Sequence, residues 1–181
     1  IDNVDVIANQ VDGIEWFGGA VNVKNAVVWN CNDDAIDCDQ DWTGTLDNFV
    51  VITPGDHNFE LDGPEGTRDE GGYTIKNGWV IANDPDTDRF SSDLINTDNN
   101  TSVAFENIFI TGIEEGQVIN RVVHNDGTTT FSNVVLDVPA ADLADYVNGD
   151  VPNGITAGTA SANDIDLSVF DWTWAKEAGK F

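Results

Sequence analysis

Residues 33–41 read DDAIDCDQD and place five carboxylates in nine positions, around Ile36 and Cys38. Two carboxyl groups on neighbouring strands can break a sugar linkage between them, one protonating the leaving oxygen while the other activates water. Closely spaced carboxylates can also surround a hard cation, which takes several oxygen ligands at about 2.3–2.6 Å. A third role is purely local: Asp accepts hydrogen bonds from backbone amides wherever the chain turns.

For bond cleavage the candidates are Asp12, Asp33, Asp34 and His57, because they recur at matching steps along the chain. For a metal the candidates are Asp37, Asp39 and Asp41, followed by Gly44, and Asp84, Asp86 and Asp88 in a later segment with the same alternation. Calcium is the expected ion, although neither segment has the central Gly and terminal Glu of a complete twelve-residue calcium loop. Cys31 and Cys38 flank the acidic run without CxxC spacing. A local disulfide is the expectation for an exported protein, with two buried thiols as the alternative.

The elements that must position these residues emerge from a repeat. Ile1-Asp2-Asn3-Val4, Val23-Lys24-Asn25-Ala26, Leu46-Asp47-Asn48-Phe49, Ile75-Lys76-Asn77-Gly78, Phe105-Glu106-Asn107-Ile108 and Phe131-Ser132-Asn133-Val134 share one pattern: apolar, polar, Asn, then a β-rich run. The Asn residues are 22, 23, 29, 30 and 26 positions apart, the length of one solenoid turn with insertions. A second register begins nine residues after each of the first three: Asp12-Gly13-Ile14-Glu15-Trp16, Asp34-Ala35-Ile36-Asp37-Cys38 and His57-Asn58-Phe59-Glu60-Leu61. Two short strands per turn in fixed phase predict an all-β, right-handed parallel β-helix whose Asn side chains hydrogen-bond in a ladder.

Helix signals are confined to the end, at 139–146 and 170–179. The predicted organisation is therefore one domain, with rungs over 1–138 and a capping segment over 139–181. The first rung shows no cap. Its open edge calls for preceding rungs or a second copy of the chain, in the extreme a head-to-tail filament. A chain starting at Ile1 is expected to be a processed product or a piece of a longer polypeptide.

Composition limits the partners. The 181 residues carry 33 acidic and 7 basic side chains, a net charge of −26. Nucleic acids and anionic membranes would be repelled, and no apolar run approaches the ~18 residues of a membrane span. Six Trp, nine Phe and repeated Val/Ile runs argue for a folded core rather than disorder. Most of these aromatics are expected in the core, although exposed ones can stack on sugar rings.

The stretch DGIEWFGG through VNVKN to DDAIDCDQDWTG resembles a group of exported or lipoprotein-like β-helix proteins of marine and Bacteroidetes-type bacteria, with an echo in FDWTWA. That resemblance covers about residues 1–63 and implies a β-helix fold outside the cell or at its surface. Asp12-Gly13, Asp33-Asp34 and His57-Asn58 also resemble successive motifs of the polygalacturonases, which are β-helix enzymes. His57 is followed by Asn instead of Gly, and Arg89-Phe90-Ser91 lacks the expected Lys. The expectations for function are thus a calcium-stiffened structural or adhesive β-helix or, alternatively, a polysaccharide hydrolase or lyase using Asp12, Asp34 and His57.

Overall fold

The computed structural model describes residues 1–68, 71–84, 91–98, 100–121, 128–159 and 165–181. Its strands are β1 (Asp2–Ile7), β2 (Ile14–Gly19), β3 (Val23–Trp29), β4 (Ile36–Trp42), β5 (Thr45–Ile52), β6 (Phe59–Leu61), β7 (Tyr73–Ile81), β8 (Ile95–Thr97), β9 (Val103–Thr111), β10 (Ile119–Arg121), β11 (Thr129–Leu136) and β12 (Ile155–Ala157). The odd-numbered strands stack in order as one parallel sheet, with β12 added beyond β11, and the even-numbered β2 to β10 stack as a second. The chain is a parallel β-helix, as the two repeat registers predict.

The motif Asn marks a bend. Asn3, Asn25, Asn48, Asn77, Asn107 and Asn133 all have positive φ, between 54° and 61°, a conformation that Asn tolerates better than most side chains. The bend lets the apolar residues two before and one after it both face inward: Leu46 and Phe49 flank Asn48, and Phe105 and Ile108 flank Asn107, all buried. At Gly78 that inward place is taken by the Phe49 ring, since an added Cβ would lie 2.1 Å from Phe49 Cζ.

The side chains of these Asn residues form the expected ladder. Nδ2 of Asn48 donates to Oδ1 of Asn25 at 2.8 Å, Asn107 to Asn77 at 3.1 Å and Asn133 to Asn107 at 3.0 Å. Between Asn48 and Asn77 it is diverted: Asn77 donates to Asp47 at 2.7 Å, and Asn48 Oδ1 accepts the backbone N–H of Asp166 at 3.0 Å. Beside the ladder Asp2, Lys24, Asp47, Lys76 and Glu106 pair in register, alternating in charge from rung to rung. Opposite charges facing across strands are mutually stabilising.

Between the sheets lies a continuous core. Phe49, Phe59, Phe105 and Phe131 follow one another at centroid distances of 6.0, 5.5 and 5.5 Å, and Trp16 stacks on Trp42 at 4.4 Å. Most of the Trp and Phe residues thus serve packing.

The C-terminal helices are shorter than the sequence signals suggest. Leu143–Tyr146 and Leu167–Phe170 are single 3-10 turns, and α1 (Trp174–Glu177) is one turn capped by the Thr173 side chain. Residues 165–181 lie against the outer face of the seven-stranded sheet, where Phe170 and Ala175 bury Val27, Val50 and Ile52. This strap is fixed by the Asp166–Asn48 bonds and by Lys180 Nζ on Asp84 Oδ2 at 2.6 Å. Residues 139–158 sit at the last rung, where Val147 bridges to Ile119, β12 pairs with β11 and the Gly158 amide donates to the Leu136 carbonyl.

The expected disulfide is not formed: Cys31 and Cys38 are separate buried thiols. Cys31 Sγ points to the carbonyls of Asp33 and Asp34 at 3.6 and 3.3 Å. Cys38 occupies an inward position of β4, in register with Trp16 and Leu61, where its thiol meets the Tyr73 hydroxyl. The two sulfurs are thereby directed to different partners.

Candidate functional site

The outer face of the five-stranded sheet carries two acidic columns across three rungs. Glu15, Asp37 and Glu60 are direct register partners on β2, β4 and β6. Three residues earlier on each rung stand Asp12, Asp34 and His57. Gly13 makes the first position possible, because a Cβ there would lie 2.3 Å from Val28 Cγ1 and 2.5 Å from the Ala35 carbonyl oxygen.

Stacking satisfies part of the first column. The Asp34 amide donates to Asp12 Oδ1 at 3.3 Å and the His57 amide donates to Asp34 Oδ1 at 2.8 Å. Each carboxylate thus accepts from the rung above it, the turn-acceptor role available to any Asp at such a corner. Asp34 goes further, since its Oδ1 also accepts from His57 Nδ1 at 2.7 Å. Asp56 Oδ1 and Glu60 Oε1 stand 3.7 and 4.0 Å from the same imidazole nitrogen.

These contacts separate the proton affinities. Burial alone would raise Asp34, but hydrogen bonds from His57 and from the Glu60 carboxyl hold it below its ordinary value. Burial opposes a charged His57, yet the Asp34 bond and the Asp34, Asp56 and Glu60 charges push its pKa up to about 9. Glu60 rises to about 7 through burial and its hydrogen bond to Asp34. Asp37 rises to about 8 through burial and the charges of Asp39, Asp12, Glu60 and Glu15. Burial and like charges also raise Asp33, Glu15 and Asp39.

The structure brings together Asp12, Asp33, Asp34 and His57. Their spacing differs from that of an inverting pair: one oxygen from each of Asp12, Asp33 and Asp34 lies within 4.8 Å of the others, whereas inverting enzymes hold their two carboxyls about 6.5–9.5 Å apart to admit water.

The expected metal ligands do not converge as two alternating sets. Asp37 and Asp39 share the outer face of β4, but Gln40 adopts a φ of 59° and breaks the alternation. Asp41 instead pairs with Arg68 Nε at 3.2 Å. Asp84 is buried against Lys180, so it anchors the strap. Asp86 and Asp88 lie outside the described residues.

In their place the structure groups Asp12, Glu15 and Asp37, with one oxygen from each within 4.8 Å, and likewise Asp34, His57 and Glu60. The first set offers only oxygen donors, which suit a hard cation such as calcium. The second suits a metal poorly, since Asp34, Asp56 and Glu60 favour the protonated imidazole of His57, which is no metal ligand. Glu15 and Glu60 were not singled out from the sequence. Their signal is the acidic residue in fourth place of DGIE, DAID and HNFE, which repeats with the rung. On the same face Phe17 is 69% exposed, in register with Asp39.

Stacked parallel strands, with a row of carboxyls and a histidine on the outer face of the five-stranded sheet, define a parallel β-helix. The family is specific: a pectate-lyase-like beta helix domain model matches residues 1–176, and the chain belongs to that family. Comparison with curated proteins and with solved structures finds no match.

Proposed function

We propose that this chain is an extracellular β-helix that binds a neutral polysaccharide along the five-stranded sheet and hydrolyses it, with Glu60 transferring the proton. The observation that carries the reading is the Asp34–His57–Glu60 group. A buried carboxylate of lowered pKa there holds an imidazolium on one side and a carboxyl titrating near neutrality on the other. A pKa near the working pH suits a group that must both give and take a proton.

In the proposed step the Glu60 carboxyl gives its proton to the glycosidic oxygen as the bond to the anomeric carbon breaks. Water then supplies hydroxide to that carbon and returns a proton to the carboxylate. Asp34 and His57 are positioning residues for Glu60. Phe17 offers an exposed ring for a sugar two rungs away. A neutral polymer is favoured because the acidic columns would repel a uronate chain. The pectate-lyase-like family supports polysaccharide chemistry, and the DGIEWFGG to DQDWTG resemblance to exported β-helix proteins supports a place outside the cell.

The test is incubation of the protein with panels of neutral and uronate polysaccharides, scoring new reducing ends and the ultraviolet absorbance of unsaturated ends. New reducing ends on a neutral polymer, lost in Glu60→Gln, are expected. Unsaturated ends from a uronate polymer would replace hydrolysis with elimination, and no product from any polymer would remove the enzymatic reading.

One observation favours a structural role as a second reading. Ile1, Val11 and Val21 are exposed on the first rung, where β1 and β2 are the sheet edges. Stacking of another rung or of a second copy would cover them. Sedimentation over a range of protein concentrations tests this, and a species that stays monomeric throughout speaks against self-assembly.

A further inference from the structure

We propose that the cleft between the Asn ladder and the strap is a second ligand site, which takes a neutral, hydroxyl-rich ring such as a single sugar unit. The cleft has a volume of about 250 Å³ and is walled by Lys24, Asp47, Asn48 and Asn77 on one side and by Asp166 and Val169 of the strap on the other.

The cleft lies where the strap interrupts the ladder. Asn107 and Asn133 each donate to the Asn one rung before, and Asn77 in the same role would donate to Asn48. The Asp166 amide takes Asn48 Oδ1 instead, and Asn77 Nδ2 turns to Asp47 Oδ1 at 2.7 Å. A bond between two rungs is thereby exchanged for an opening with a fixed wall, since Asn48 also donates to Asn25 and to the Asp166 carbonyl. Groups held in place before a ligand arrives lose little freedom on binding it.

Around this opening hydrogen-bonding capacity of both kinds is left over among the described residues. Lys24 Nζ makes no hydrogen bond or ion pair there, although Asp2 and Asp47 are its register partners. Asn77 gives one amide hydrogen to Asp47 and keeps the other. Asp47 Oδ2 has Lys76 Nζ no closer than 3.9 Å, and Asp166 commits Oδ1 to Ser168 while Oδ2 stays available. Donors and acceptors facing one space suit groups that both give and take hydrogen bonds, as hydroxyls do. Lys24 disfavours a cation. Asp47 and Asp166, in a chain of net charge −26, disfavour an anion. Val169 supplies an apolar wall for the C–H face of a ring, and the volume falls below the about 300–1,000 Å³ of larger ligand pockets. The site is on the seven-stranded sheet, apart from Asp34, His57 and Glu60, and it does not rest on the hydrolytic reading.

The experiment titrates the full chain carrying Glu60→Gln, so that no hydrolysis intervenes. Calorimetry follows binding of the methyl glycosides of glucose, galactose, mannose and xylose, and of galacturonic acid. The expected result is one site for at least one neutral glycoside, bound more tightly than galacturonic acid. Adding Lys24→Met or Asp47→Asn should weaken it about tenfold, as expected for the loss of a charged hydrogen-bond partner. Circular dichroism confirms that both variants are folded: Lys24 is exposed, and the amide introduced at position 47 still accepts from Asn77. The bound glycoside should also slow digestion of residues 165–181 by a nonspecific protease, because the strap supplies one wall of the cleft. Binding undiminished by Lys24→Met and Asp47→Asn would overturn the proposal, as would binding that leaves the digestion rate unchanged. No binding by any of the four glycosides, or tighter binding of galacturonic acid, would overturn it as well.

Discussion

The Asp34–His57 pair gives the stability of this protein a particular dependence on pH. His57 is raised from 6.5 to about 9 in the folded chain. At about 1.36 kcal/mol for each tenfold change in proton affinity, the full rise corresponds to about 3.4 kcal/mol. The His57 side chain is 16% exposed and stands at the protein surface, where solvent screening reduces such interactions, so about 2 kcal/mol is the working figure. The sign follows from linkage. A group whose folded pKa lies above its unfolded one contributes stability that is complete below the unfolded pKa and is lost as pH rises through the folded one. The window therefore runs from pH 6.5 to about 9.

The measurement is urea unfolding of the unmodified chain and of His57→Gln, at closely spaced pH values across that window. Glu60 and Asp37 also titrate there, and because the His57 charge lowers Glu60, the comparison is repeated with Glu60→Gln in both proteins so that the difference reports the imidazole. The unmodified chain should be the more stable at pH 6.5, and its advantage should shrink by about 2 kcal/mol by pH 9. Two curves that stay parallel across the window would show that Asp34 does not hold a charged imidazole, and the positioning role assigned to the pair would fall with it.

Three further outcomes follow from the scaffold. Asn48→Ala removes the donation to Asn25 and both bonds to Asp166 and leaves Ala at a φ of 59°. Urea unfolding should show a loss of about 3 kcal/mol, with the strap released to protease sooner than in the unmodified chain. Gly78→Ala sets a methyl against the Phe49 ring, 2.1 Å from Cζ, and should cost about 1–3 kcal/mol. Adding Phe49→Leu should cost less in the Gly78→Ala background than alone. The thiols of Cys31 and Cys38, buried at 0% exposure, should resist a thiol reagent in the native protein and both react in denaturant; a missing reaction in denaturant without reductant would restore the disulfide.

Sequence spacing made the scaffold legible because a β-helix repeats its geometry with its sequence. The Asn at each bend and the alternation around it recur every rung, so fold class and ladder could be read from six aligned motifs. What spacing could not supply was the effect of single backbone departures. The alternation of Asp37, Asp39 and Asp41 reads as one row of ligands, but the left-handed conformation at Gln40 sends Asp41 to Arg68. Asp84 reads as part of a second row, yet its partner is Lys180, 96 residues away. The acidic site was half visible for a related reason. Asp12, Asp34 and His57 announce themselves by sharing a position in the repeat, whereas Glu15 and Glu60 matter because stacking sets them beside Asp37.

The two sheets divide the requirements of the fold between them. The seven-stranded sheet is covered on its outer side by the strap, which buries Val27, Val50 and Ile52 and fixes Lys180 on Asp84. The five-stranded sheet bears on its outer face Glu15, Asp37 and Glu60 in one column. Like charges in register on adjacent strands weaken a sheet, and nothing in the packing of the core requires them, because Trp16, Cys38 and Leu61 point inward from the same strands. Their repulsion must be offset by the buried core, by the Asn ladder and by the strap opposite. A sheet that needed these carboxyls only for solubility would spread them over its surface. Setting them in register, with Asp37 sunk among them, costs stability unless protons or a ligand neutralise the face, and the raised pKa values of Asp37 and Glu60 express that cost.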